Sequence, residues 1–307
     1  MTGPTHEDAV DRPVWQANSD SKSCTKCNRE FTVFHRRHHC RGCGKLVCQQ
    51  CSDSRITLPP TFNYNGPQRV CSACHTYVLT LQYEAKKQSG EVKPPDYPSL
   101  RAELLKRTLE YLRLPEPTWH QTQNAGGVVT SVQPVPNSPF VCVRNQTTVK
   151  APPSKVQTVY ADMNLWQKWN PHVKSRILEE IDGNARVLTA KSELPVIDPR
   201  DTVFLTMRWE GVLNLETGAT EHRAGHFTTA AMSIAHPAYP PAPSKVVRAE
   251  MAISITQIEP SEDGKSTRFV STVHMDPRGL LPPFLVNTLL GRGAEHLRGM
   301  ARYVEDN

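Results

Sequence analysis

Arg36-Arg37-His38-His39-Cys40-Arg41-Gly42-Cys43-Gly44 is the stretch on which the reading of this chain turns. It contains one of four Cys-x-x-Cys pairs: Cys24/Cys27, Cys40/Cys43, Cys48/Cys51 and Cys71/Cys74, separated by 12, 4 and 19 residues. Eight of the nine cysteines fall in this pattern. Zinc takes four soft ligands tetrahedrally, and two residues between partners let both sulfurs reach one ion. Four pairs therefore supply two complete all-cysteine sites, and two structural Zn2+ ions are expected. Disulfides do not fit, because no apolar signal stretch precedes the cysteines and a reducing compartment is expected. A redox role does not fit either, since redox Cys-x-x-Cys motifs open a helix after a strand. Catalytic zinc keeps one coordination position open, and four full pairs leave none.

Around the second pair the charge is concentrated. Arg36, Arg37 and Arg41 are permanently cationic, and His38 and His39 become so near neutral pH. A purely structural finger has no need of five such groups, whose mutual repulsion is destabilising; together they make an anion pocket. With Phe31-Thr32-Val33-Phe34 just upstream, the stretch resembles the FYVE zinc finger, whose members bind phosphatidylinositol 3-phosphate on endosomal membranes. The resemblance runs over residues 14–80. Trp15 matches the family's leading Trp-x-x-Asp, Arg36 to Arg41 its basic motif, and Arg69-Val70-Cys71 its Arg-Val-Cys.

That resemblance implies a cross-brace: Cys24, Cys27, Cys48 and Cys51 hold the first zinc, and Cys40, Cys43, Cys71 and Cys74 the second. It also implies that Arg36, Arg37, His38, His39, Arg41 and Arg69 grip the 3-phosphate and inositol. Val33 and Phe34 would enter the bilayer, with the core of the small domain as the competing place for them. Asn18 stands where the family has Asp and belongs to the same pocket. An amide accepts and donates hydrogen bonds but cannot hold a histidine in its cationic form.

At 307 residues the chain has room for about two domains. It is 38% apolar and 21% charged, as soluble globular proteins are. No apolar run is long enough to cross a bilayer, so peripheral membrane contact is expected. Residues 14–80 hold nine Lys and Arg against three Asp and Glu, while the rest of the chain balances at 27 of each sign, so the net charge of +6 sits in the finger. Eight thiolates and two dications reduce that surplus to about +2. This is too little for nucleic acid and adequate for an anionic membrane, where each well-placed cation contributes ~1 kcal/mol.

Residues 1–13 read as a disordered tail and residues 81–97 as a linker, polar with Gly90, Pro94 and Pro95. Val78 to Lys87 continues a helix out of the last cysteine pair. Leu105, Leu109 and Leu112 mark an amphipathic helix ended by Leu114-Pro115. Strands are expected at Val128 to Val132, Phe140 to Val149, Thr202 to Trp209, Val246 to Ile258 and Arg268 to Met275. In the fourth, odd-numbered residues from Val247 to Ile255 are apolar, which predicts one apolar face. Pro152-Pro153 opens a helix carrying Val156, Val159 and Tyr160, and a short one follows through Trp169. Leu289, Gly293, Leu297, Met300 and Val304 form one stripe of a long C-terminal helix. The expected class is a small two-zinc cross-brace finger followed by an α+β unit: a curved antiparallel sheet with a terminal helix over its concave face.

Ala151-Pro152-Pro153, Asp198-Pro199-Arg200-Asp201, His236-Pro237-Ala238-Tyr239-Pro240-Pro241 and Asp276-Pro277-Arg278-Gly279-Leu280-Leu281-Pro282 occur in the order found in START domains, which residues 98–307 resemble. The resemblance implies a helix-grip fold whose tunnel holds one lipid or sterol. A C-terminal helix and a loop close it, here Ile234 to Ser244 with four prolines. Gly291, Gly293 and Gly299 either weaken that helix as a lid or let it pack closely. Glu193, Arg200 and Arg208 are candidates to project into the tunnel, with ordinary ion pairs as the alternative.

Cys142, between Val141 and Val143, reads as a buried inert thiol, and no catalytic arrangement is legible. The chain is expected not to be an enzyme but a peripheral protein on the cytoplasmic face of endosomal membranes. It would dock on phosphatidylinositol 3-phosphate and bind or transfer a lipid, with no nucleic acid as partner. Three other classes stay open: an adaptor acting through partner proteins, like a small-GTPase effector; a helix-grip domain with hydrolase or cyclase activity; and a pure tether whose tunnel is filled by side chains.

Overall fold

Short strands and cysteine pairs build the first part of the chain. Strand β1 (Arg37–His39) pairs antiparallel with β2 (Leu46–Cys48), and β3 (Ser54–Ile56) with β4 (Gln68–Val70). The turn between β1 and β2 carries Cys40 and Cys43. It needs glycine at position 44, where φ is +71° and a Cβ would come within 2.4 Å of the Val14 carbonyl oxygen. Helix α1 (Ser72–Gln88) starts directly after Cys71. Val47, Ile56, Leu58, Phe62, Val70 and Val78 bury themselves around the cysteines as the core. Val33 and Phe34 stay outside it, 77% and 98% exposed.

The computed structural model describes residues 12–192, 198–241, 246–262, 264–290 and 293–307. The chain divides into two units, the first ending at Pro94 and also counting Pro237–Tyr239, the second made of Pro95–His236 and Pro240–Asn307. The expected tail, residues 1–13, lies almost wholly outside the described residues. Of the expected linker 81–97, the first part is helical, because α1 runs to Gln88, and α2 (Tyr97–Leu112) begins at the other end. Asp96 caps α2, its carboxylate accepting from Ser99 N.

In the second unit a long antiparallel sheet carries everything else. Its strands are β5 (His120–Ala125), β6 (Val128–Gln133), β7 (Cys142–Val149), β8 (Val173–Asp182), β9 (Ala185–Ser192) and β10 (Arg200–Glu210). A small hairpin, β11 (Val212–Leu213) with β12 (Thr220–Glu221), precedes β13 (Phe227–Ser233), β14 (Val247–Arg248), β15 (Glu250–Pro260) and β16 (Thr267–Asp276). The order across the sheet is β5-β6-β7-β16-β15-β13-β10-β9-β8, with β14 added parallel to β10. Strand β5 has six exposed polar or small residues, and β8 mixes charged with apolar ones at the opposite edge. Neither shows the alternation by which the central strands announce themselves.

The expected single apolar face of β15 is not observed. Pairing with β16 shifts between Met251 and Ile253, making Ala252 the extra residue of a bulge. Side chains alternate across a strand, so the bulge exchanges the two faces. Ala249 and Met251 share their side with Ser254, Thr256 and Ile258, while Ile253 and Ile255 turn to the other and are fully buried there. Helix α2 packs on that other side, against β10, β13 and β15, and buries Leu104, Thr108 and Leu109.

The opposite side is covered by α3 (Pro153–Ala161), α4 (Met163–Trp169), α5 (Pro283–Leu290) and α6 (Gly293–Asp306). Ala294, Leu297, Met300 and Val304 form the buried stripe of α6; Gly291 lies outside the described residues. Gly299 is there for close packing, since a Cβ on it would sit 2.5 Å from the Trp169 carbonyl oxygen.

Candidate functional site

Two sites emerge, one in each unit. In the first, Cys24, Cys27, Cys48 and Cys51 gather as one set and Cys40, Cys43, Cys71 and Cys74 as the other, the sulfurs of each within 4.8 Å of one another. A tetrahedron with Zn–S bonds of about 2.3 Å has edges of about 3.8 Å, and Cys27 Sγ lies 3.8 Å from Cys48 Sγ. Backbone N–H groups donate to the sulfurs, Cys48 N to Cys24 Sγ at 3.3 Å and Cys71 N to Cys40 Sγ at 3.1 Å. Burial raises the Cys24 thiol, but hydrogen bonds from the backbone of Cys48, Lys26 and Cys27 outweigh it and bring the group to about 7. This donor set fits two zinc ions, which would hold the turn at Cys40 and the start of α1 in register.

The basic residues surround the second set. Arg41 N donates to Arg69 O at 2.9 Å, joining the β1–β2 turn to β4. Arg69 is anchored by its Nη1 on Ser52 O at 2.7 Å, and Arg41 by its Nη1 on His39 O at 2.7 Å. Arg37 donates to Ser21 O and lies over the Phe31 ring, while Arg36 is exposed. The side chains of these four arginines hydrogen-bond to carbonyl or hydroxyl oxygens. Burial, then Arg69, Arg41 and Arg36 in that order, hold His38 below its ordinary pKa.

Sequence reasoning missed how His39 is held. Its ring stacks on Trp15 with centroids 4.7 Å apart, and its Nε2 donates to Gln16 O at 2.8 Å. The Arg41 guanidinium lies on Trp15 as well, 4.9 Å from the centroid. Asn18 is exposed, and Asp20 closes the neighbouring turn by accepting from Ala17 N. A backbone carbonyl as histidine partner leaves no trace in residue identity.

The second unit encloses a cavity of about 910 Å³ between the sheet and α3, α4 and α6, large for a small-molecule site. Arg200 and Arg208 both line it; Glu193 lies outside the described residues. They stand at opposite ends of β10, eight residues and thus about 26 Å apart along the strand. Arg200 is buried, donating to the Asp198 and Arg278 carbonyls. Arg208 bonds to Glu210 at 2.9 Å. The Nε atoms of both arginines are buried without a partner.

His172 and His296 line the cavity, whereas Cys142 and His274 lie outside its lining. Cys142 is buried, which pushes its thiol up to about 12. His274 lies between Val273 and Met275, which line the cavity, so it faces the α2 side, where it is hydrogen-bonded to Tyr111 and Ser138.

Comparison with known proteins bears on both sites. The family model for the FYVE zinc finger matches residues 14–80, and that for the START domain residues 99–300. The chain is 40% identical over 66 residues to human RUN and FYVE domain-containing protein 1, a stretch covering 22% of this chain and 9% of that one. It is 43% identical over 65 residues to the Lateral signaling target protein 2 homolog of Brugia malayi, covering 21% and 10%. The chain thus spans about a tenth of the length of these relatives. Human StAR-related lipid transfer protein 5 superposes with a TM-score of 0.59 at 22% identity, covering 68% of this chain and 96% of that one, which shows the fold.

Proposed function

Because the chain belongs to the START family and carries a FYVE zinc finger ahead of its START domain, we propose that it docks on membranes containing phosphatidylinositol 3-phosphate and takes one lipid into its cavity. The finger, residues 14–80, is the address and residues 98–307 the carrier. Arg36, Arg37, His38, His39, Arg41 and Arg69 receive the headgroup, with Asn18 at the edge of the pocket. Val33 and Phe34 enter the bilayer. No helix among the described residues is long and apolar enough to cross a membrane; contact with endosomal membranes is made through the finger.

The cavity of about 910 Å³ carries this reading, since a domain serving only as a tether would fill that space with side chains. Binding and transfer, without bond-making, is what these two domain types support. Native mass spectrometry of the protein purified from cells tests the carrier half through a co-purified lipid. Sedimentation with phosphatidylcholine vesicles, with and without phosphatidylinositol 3-phosphate, tests the address. Binding indifferent to that lipid would favour the adaptor reading.

A further inference from the structure

We infer that the cavity takes an acidic lipid, its phosphate or carboxylate held at Arg208 and its hydrocarbon directed along β10 toward Phe204 and Met251. The inference rests on the carrier reading and names the ligand class. Three observations lead to it.

The first is a row of polar side chains. Arg208 of β10 lies opposite Thr229 of β13, Thr229 opposite Thr256 of β15, Thr256 opposite Ser271 of β16, and Ser271 opposite Asn145 of β7. All five line the cavity. In the flanking row the cavity-lining residues are apolar, with Ile258 opposite both Phe227 and Phe269. Two steps the other way along the strands, Phe204, Met251 and Met275 line the cavity. Polarity is thus gathered at one level of an otherwise mixed wall, as an amphiphile with one polar end requires.

The second is charge. Arg186, Arg200 and Arg208 line the cavity, and among the described lining residues Glu295, which is exposed, is the one carboxylate. The partners of the two arginines nearest the polar row are weak competitors. Glu210 is 52% exposed, and Glu180 is 57% exposed and 4.0 Å from Arg186. An ion pair that open to water holds little.

The third is the kind of hydrogen bond left unmade. Arg208 Nε, Arg200 Nε, Trp169 Nε1 and Ser175 Oγ are buried without a partner, and all four residues line the cavity. Three of the four can only donate. Buried donors are costly to leave unmade, so the complementary ligand brings acceptors and negative charge. A sterol, with one hydroxyl, satisfies few of them. The phosphate of a choline lipid would bring its own cation into a wall that already holds an excess of positive charge.

The test is lipid transfer by the full chain between phosphatidylcholine vesicles that all contain the same amount of phosphatidylinositol 3-phosphate, so that docking is equal. Fluorescent phosphatidic acid and a fluorescent fatty acid are the acidic probes; fluorescent phosphatidylcholine and a fluorescent sterol are the neutral ones. At least one acidic probe should transfer about tenfold faster than either neutral probe, the scale of one charge-assisted hydrogen bond. Arg208→Gln should abolish that preference, and Arg208→Lys should keep part of it, both with an unchanged melting temperature. Which acidic probe leads distinguishes phosphate from carboxylate. Equal or faster transfer of a neutral probe overturns the inference and leaves the carrier reading intact. So does a folded Arg208→Gln variant with its preference unchanged. If no probe moves, the carrier reading falls and the inference with it.

Discussion

Tyr111, near the end of α2, donates its hydroxyl to His274 Nδ1 on β16 at 2.5 Å, and His274 Nε2 reaches Ser138 Oγ at 2.9 Å. Ser138 donates to Phe140 O, so its oxygen accepts the Nε2 proton and the imidazole is held neutral. Fourteen residues earlier, close to four helical turns, Tyr97 donates to Glu179 Oε2 at 2.6 Å, an oxygen that also holds His236 Nε2 at 2.9 Å. Both hydroxyls leave the same face of α2, which they fasten to the sheet. Tyr111→Phe should cost about 1–3 kcal/mol, because it leaves a buried ring nitrogen without its donor. Urea denaturation of the variant measures this, and no loss would mean that water replaces the hydroxyl.

Acid should weaken the START domain through His296. Burial beside Trp169 lowers this histidine to about 4, against about 6.5 when unfolded. Above pH 6.5 both states are neutral and stability is unaffected. Between 6.5 and 4 the unfolded chain takes up a proton that the folded one refuses, so stability falls by up to about 3 kcal/mol. Melting temperatures of wild type and His296→Gln across this window should converge as the pH drops; parallel curves would remove His296 as the cause.

Headgroup binding should be strongest at mildly acidic pH. His38 is held below its ordinary value in the free finger by burial and by Arg69, Arg41 and Arg36. A bound phosphate favours the imidazolium, so binding raises the pKa and takes up a proton. Affinity then falls as pH rises through the bound-state value. Vesicle sedimentation at pH 6 and pH 8 (roughly the range over which a histidine titrates) decides it, and a flat profile would leave the arginines as the sole grip.

Phe34→Ala and Val33→Ala should each weaken membrane binding without releasing zinc. Insertion of the two side chains contributes ~3–6 kcal/mol before entropic costs, and outside the finger's core their loss costs the fold little. Unchanged sedimentation of the double variant would show that the loop stays out of the bilayer.

Chelation should release two zinc ions per chain and unfold residues 14–80, since structural zinc supplies ~10–16 kcal/mol of apparent binding energy. The circular dichroism of the sheet should survive. A colorimetric zinc titration alongside the spectra checks both, and one ion per chain would contradict the geometry of the two sulfur sets.

What was legible in the residues follows from their chemistry. Cysteine spacing announces metal because ligand geometry is local, and the basic run announces an anion because like charges are not crowded without a purpose. Helices α1 to α4 and strands β6, β7, β10, β15 and β16 show themselves in the residue pattern. Edge strands β5 and β8 do not, since one is wholly polar and the other mixed, and β9 and β13 carried too little contrast between faces to stand out. The parity of β15 misleads because a bulge is a matter of pairing, which a single strand does not reveal. The stacking of His39 on Trp15 and the hydrogen bond to Gln16 O depend on folding and were out of reach for the same reason.

The bulge at Ala252 has a genetic corollary. Deleting that one residue would restore an unbroken ladder and leave the facings as they are, with Met251, Ser254 and Thr256 on the cavity side and Ile253 and Ile255 beneath α2. A deletion within the regularly paired run that follows would instead exchange the two faces downstream, altering the cavity wall and the seating of the outer helix together. Position 252 is thus a place in β15 where a lost residue leaves both the cavity wall and the seating of α2 in register.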